Sequence, residues 1–193
     1  MVRAHERALM VGGALGELLP GGCLRRGSVI HLHGAQRSAL QLALLAAVTR
    51  SGEWAAIVES RDGPADFAGL AALEAGVDLE RCALVRAVPR ERWAVVVGAL
   101  LEGMTMVVAP VPAYARPADA RRLLARARER QAMLVVTGGS WPVDAALRIR
   151  AGRGVWHGLE PGEGLLRSCD VHVVVDGKGA PRRACVDLFE RAG

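Results

Sequence analysis

The chain has almost no lysine. Of its 25 basic side chains only Lys178 is one, and the rest are arginine. A conventional phosphate-binding loop needs a lysine at the start of a helix, and no strand–helix junction here supplies it. Aromatic residues are also scarce, two Phe and one Tyr beside four Trp, so the core must be aliphatic. Cys23, Cys82, Cys169 and Cys185 form no CxxC pair. Structural zinc usually needs closely paired ligands, which leaves free thiols in a reducing compartment and no expected metal. His31 and His33 would share one face of a strand, but no third ligand lies nearby in the sequence. No apolar run is long enough to span a membrane. Arg3 and Arg7 precede an apolar run from Ala8 to Gly16, as in a signal peptide, yet Glu17 interrupts it and no small-residue cleavage site follows. A helix with Leu9, Leu15 and Leu18 inward is expected there instead, in a cytoplasmic protein without membrane contact.

What is present is 193 residues with a hydrophobic share of 51%, enough for one domain with a sizeable core. Residues 1–193 are expected to form that domain, with 1–27 as an N-terminal helix and lead-in and 28–193 as the core. A net charge of +5 makes an acidic partner plausible. A GC-rich genome would produce much of the same arginine bias, so both explanations stand.

The segment from Ser28 to Gly34 is a short apolar strand ending in one glycine, and Ala35 to Leu45 is a tight loop running into an apolar helix. This is the layout in which helix N-terminal N–H groups cradle phosphate. The chemistry of such a site is missing: no Lys follows, no second Gly opens the loop, and no Ser/Thr pair is placed to hold magnesium.

Strands and helices then alternate, which predicts a mostly parallel sheet flanked by helices. Strands are expected at Trp54–Val58, Cys82–Val85, Met104–Val108 and Met133–Val136. One helix carries Phe67, Leu70 and Leu73 and stops at Gly76. A second sets Trp93, Val97, Leu100 and Leu101 on one side, and a third starts at Pro117 with Ala120, Leu123, Leu124 and Ala127 toward the sheet. Beyond Gly138-Gly139 the pattern weakens. Residues 145–149 make a short element, Gly152 to Gly164 reads as loop, and Val171–Val175 alternates as a half-buried strand. Asp176-Gly177 signals a hairpin that returns through Ala184 to Phe189 as an antiparallel edge.

Three features resemble a RecA-type core. Leu15 to Val29, with Leu15-Gly16-Glu17-Leu18-Leu19-Pro20-Gly21-Gly22 at its head, is similar to the run before that family's phosphate loop. Ala75-Gly76-Val77-Asp78-Leu79-Glu80-Arg81 resembles the "LGVDxxxL" segment before its next strand, and the strand order with its terminal hairpin agrees. The small size, the Arg/Ala-rich helix and the degenerate site look most like ImuA-type proteins, especially the actinobacterial ImuA-prime branch. That resemblance implies an accessory subunit of DNA-damage-induced, error-prone translesion synthesis. Its partner would be an ImuB-type polymerase homologue and, through it, a mutagenic C-family polymerase and the sliding clamp, with DNA contact and nucleoid association during activity.

Carried over residue by residue, the family's phosphate-loop lysine falls at Leu40, or at Ala39 in a shorter loop. Its catalytic glutamate falls near Arg61, and its magnesium-holding aspartate at Ala109. Gly34 and Arg37 complete this degenerate site. Leucine cannot neutralise phosphate, arginine cannot act as a general base, and alanine cannot ligate a metal. The expectation is therefore no enzyme activity and no cofactor, the work being done by surfaces. Candidate surfaces are the arginines of the third helix (Arg121, Arg122, Arg126 and Arg130, with Arg128) and the stretch carrying Trp141, Arg148, Arg150 and Arg153. Trp141 could stack on a base, anchor a partner or fold back onto the core. The rival expectations are a DNA-binding RecA paralogue that modulates recombination and an NTPase with an unorthodox phosphate loop.

Overall fold

The apolar stretch Val29–Gly34 forms β3 at the centre of an eight-stranded sheet. The computed structural model describes residues 8–63, 67–113, 115–160 and 163–187, the side chains of 159, 160 and 163–167 excepted. A two-stranded antiparallel ribbon, β1 (Ala8–Met10) with β2 (Cys23–Arg25), stands beside the sheet. The other strands are β4 (Ala55–Ser60), β5 (Cys82–Val88), β6 (Met106–Pro110), β7 (Met133–Thr137), β8 (Leu147–Glu160), β9 (Glu163–Asp176) and β10 (Arg182–Asp187). Their spatial order is β10-β9-β8-β3-β7-β6-β4-β5. From β8 to β5 every pairing is parallel, and β8-β9-β10 form an antiparallel edge. The predicted architecture, a mostly parallel sheet flanked by helices with a C-terminal antiparallel hairpin, is what folds.

Alternation within the central strands feeds two cores. Ile30, Leu32, Met133, Val135, Ile57 and Val108 pack with α1 (Gly13–Leu18), α2 (Arg37–Arg50) and α3 (Gly69–Glu74). Val29, Leu134, Val136, Val107 and Val58 pack on the other face with α4 (Trp93–Leu100) and α5 (Pro117–Arg130). The first core runs on under β8, β9 and β10 through Ile149, Ala151, Val171, Val173 and Val186. Among the described residues, none of those three strands contributes a buried side chain to the second core, and no described helix covers the outer face of the antiparallel edge.

Three expectations are corrected. Leu9, Leu15 and Leu18 are buried, but Leu9 lies on strand β1 and only α1 is helical. In α3, Ala72 is the buried residue, while Leu70 and Leu73 are 72% and 60% exposed. Six residues make under two turns, and α3 meets α2 through its small alanine side. The stretch 152–164 is no loop. Its described residues form the far half of β8 and the start of β9, whose ladder runs on through Val155↔Asp170 and Trp156↔Cys169. Its glycines suggested a loop, yet Gly154 serves close packing: a Cβ there would collide with Cys169 Sγ and come within 3.0 Å of the Gln36 amide. The predicted last strand is present from Arg182 to Asp187, and its Phe189 end lies outside the described residues.

Candidate functional site

At the carboxyl end of β3 the chain turns through Ala35-Gln36 alone before α2 begins at Arg37. Gly34 has φ +101°, and a Cβ there would drive into the Ala151 carbonyl of β8. The one glycine of this junction thus permits the close approach of a neighbouring strand. Because α2 starts this early, Leu40 lies inside the helix, donates its N–H to Gln36 O at 3.3 Å, and is fully buried. Ala109 is equally buried, in the second core. Arg61 is exposed after β4, its backbone N–H donating to Val88 O at 3.0 Å. Gly34 and Arg37 flank the turn, and Leu40 follows one helical turn along α2 with its side chain in the first core, whereas Ala109 lies in the second core and Arg61 follows β4.

Between α2 and the ends of β4, β6 and β7 there is a cavity of about 40 Å³. That is room for one or two waters, against some hundreds of Å³ for a ligand pocket. Its lining includes three buried polar side chains, Gln41, Glu59 and Thr137. Glu59 accepts the Phe67 N–H at 3.3 Å, and the Arg86 guanidinium sits 3.3 Å from its other oxygen. The carboxylate is thus held as a structural tie between β4, β5 and the lead-in to α3. Sequence reasoning placed an acid position at Arg61 and missed Glu59. The available signal was its place near the end of an otherwise apolar strand.

His31 and His33 do share a face, with ring centroids 5.3 Å apart. Nε2 of His31 lies 2.9 Å from Gly138 O, and among the described residues no three metal-ligating side chains converge.

The candidate surfaces separate. On α5, Arg126 and Arg130 both pair with Glu102 at the end of α4, and Arg122 lies 3.9 Å from Asp119, so the basic arc is partly neutralised. Arg121 and Arg128 are exposed. Trp141, a candidate surface residue, is only 6% exposed and packs edge-on against Trp93 with centroids 6.5 Å apart. It has folded onto the second core. Arg148, Arg150 and Arg153 are exposed on β8. The exposed aromatic of this region is Trp156, at 43%, a residue sequence reasoning passed over as loop.

This strand order with an antiparallel edge defines a RecA-like domain. The crystal structure of the RadB recombinase superposes with a TM-score of 0.64, covering 91% of this chain and 94% of that one, at 17% identity. Residues 17–143 match the MT3502 N-terminal domain family, and the chain belongs to it. It is also 36% identical over 176 residues to the uncharacterized protein Rv3395c of Mycobacterium tuberculosis, spanning 85% of this chain and 80% of that protein.

Proposed function

We propose that this protein is a catalytically inert, ImuA-prime-type accessory subunit of damage-induced, error-prone translesion synthesis. It works as a rigid scaffold that docks an ImuB-type polymerase homologue and, through it, a mutagenic C-family polymerase and the sliding clamp. The observation that carries the reading is the two-residue turn at Ala35-Gln36 with buried Leu40 behind it, where a nucleotide motor needs a glycine-rich cradle and a lysine. Phosphoryl transfer depends on positioned cations and metal, and the small cavity beside Glu59 suits water rather than a triphosphate. A scaffold needs only a stable body with distinctive surfaces, which two aliphatic cores provide.

Co-expression with an ImuB-type partner tests the docking: a stable complex is expected on affinity purification, and none would defeat the proposal. Magnesium–ATP is expected to leave the melting temperature unchanged. A ligand at 100 times its Kd would add about 2.7 kcal/mol, so a clear upward shift would favour an NTPase instead.

A further inference from the structure

The eight-stranded sheet ends at β10, which pairs with β9 alone. Among the described residues no backbone hydrogen bond from another segment reaches Arg182–Asp187, so the outer row of N–H and C=O groups is open. An open edge is a template for a further strand. Alternation divides this one. Arg182, Ala184 and Val186 lie opposite the buried Val175, Val173 and Val171 on the core side, where Arg182 is tied to Leu19 O at 3.0 Å. Arg183, Cys185 and Asp187 lie opposite Val174, His172 and Asp170 on the outer side. Arg183 and Cys185 are exposed, and Arg183 makes no ion pair among the described residues. The outer side is therefore basic where β10 starts and acidic where it ends. At the acidic end Asp187, whose Oδ1 accepts the Cys169 N–H at 3.1 Å, stands directly across from Asp170. Like charges directly opposite destabilise a ladder, and a cation brought beside them offsets this.

We propose that β10 is a dimerisation edge: it pairs antiparallel with β10 of a second copy, Cys185 facing Cys185 on the two-fold axis and Arg183 facing Asp187 on either side of it. Charge complementarity selects this occupant and this register. The axis of such a pair stands perpendicular to the sheet and keeps the outer sides of both copies on one face, so residues of the same side must face each other. Centring the pair on Arg183 or on Asp187 sets like charges together. Centring it on Ala184 or Val186 sets a charge against Cys185. Only the axis at Cys185 gives two Arg–Asp pairs, and it also places Ala184 against Val186 on the core side. The edge is thus complementary to itself, and two copies close the assembly. The inference goes beyond the scaffold reading, which a monomer satisfies equally. So short an edge lies at the small end of specific interfaces. The dimer therefore forms reversibly as concentration rises, and Cys185 stays open in dilute protein.

Analytical ultracentrifugation over a concentration series is the test. The mass should rise from the one-chain 20.4 kDa toward twice that value, and the rate of Cys185 alkylation should fall in parallel. A short bismaleimide should join two chains through Cys185, since facing residues stand roughly 5 Å apart between Cβ atoms. Cys185→Ser should abolish that crosslink. Arg183→Asp sets carboxylates together and should weaken the dimer at least about tenfold. Asp187→Arg should do the same by setting guanidinium groups together. An equimolar mixture of the two variants should dimerise again, because every facing charge pair is then Arg–Asp. Melting temperatures check that each variant folds, and the crosslink and alkylation rate are read on wild-type protein. A one-chain mass at every concentration would overturn the proposal. So would a dimer untouched by Arg183→Asp, crosslinking through Cys23 in place of Cys185, or a mixture of folded variants that stays monomeric. Capture of the polymerase partner is scored separately: a monomer that still captures it overturns this inference alone, whereas a dimer that fails to capture it overturns the scaffold reading.

Discussion

Single residues at the β3–α2 junction show how little space the fold leaves there. Gly34 combines φ +101° with direct apposition to the Ala151 carbonyl, and both are intolerable for a side chain. Gly34→Ala is expected to cost more than about 3 kcal/mol, read as a fall in the urea midpoint. Burial pushes the thiols of Cys82 and Cys169 up, with Asp187 and Asp170 adding to the effect at Cys169, while Cys185 is exposed. Alkylation at pH 8 followed by mass spectrometry should therefore modify Cys185 well before Cys82 and Cys169. Glu53 accepts a hydrogen bond from the Thr105 hydroxyl at 2.7 Å and from Arg26 at 2.7 Å. The Thr105 bond chiefly, with Arg26, holds its carboxyl below the usual range against an opposing effect of burial. A carboxylate lowered on folding stabilises the protein above its unfolded pKa, and that contribution is lost as pH falls through the folded value. Thr105→Val should raise the Glu53 titration seen by NMR and reduce the difference in stability between pH 7 and pH 3.

Among the elements, α5 illustrates why a basic stripe is not automatically a docking face. Its apolar side, Ala120, Leu123 and Ala127, lies on the sheet as the 3.6-residue period requires. Its arginines divide between ion pairs with Glu102 and open solvent. Reversing Arg126 would set two carboxylates together, so Arg121→Glu with Arg122→Glu is the cleaner probe. Folding should be preserved within about 0.5 kcal/mol, and loss of partner capture in a pull-down would assign docking to α5. The segment after β7 behaves oppositely. Trp141 is a structural wedge against Trp93, and both indole N–H groups are buried without an acceptor among the described residues. Trp141→Ala should cost about 3–5 kcal/mol, measured by thermal or urea unfolding. An unchanged midpoint would mean that the indole spends its time outside the core.

At the scale of the whole molecule, two aliphatic layers cover the parallel strands, and among the described residues only one continues beneath the antiparallel edge. That asymmetry makes the edge a surface. The alternation of strands and helices and the terminal hairpin were legible in the sequence, because each is written in neighbouring residues: period 2, period 3.6 and turn dipeptides. The outward tilt of Leu70 and Leu73, the burial of Trp141, the exposure of Trp156 and the tie on Glu59 were not legible, because each depends on residues far along the chain. Trp141 is buried because Trp93 lies beside it, and Gly154 is a strand residue because Cys169 and Gln36 crowd it. Sequence alone determined that this chain forms a RecA-like sheet, since local burial patterns need no distant partner to be recognised. Tertiary structure alone decided which side chains face solvent and that His33, Arg148 and Arg150 stand together, since strand register and layer coverage are set by long-range packing.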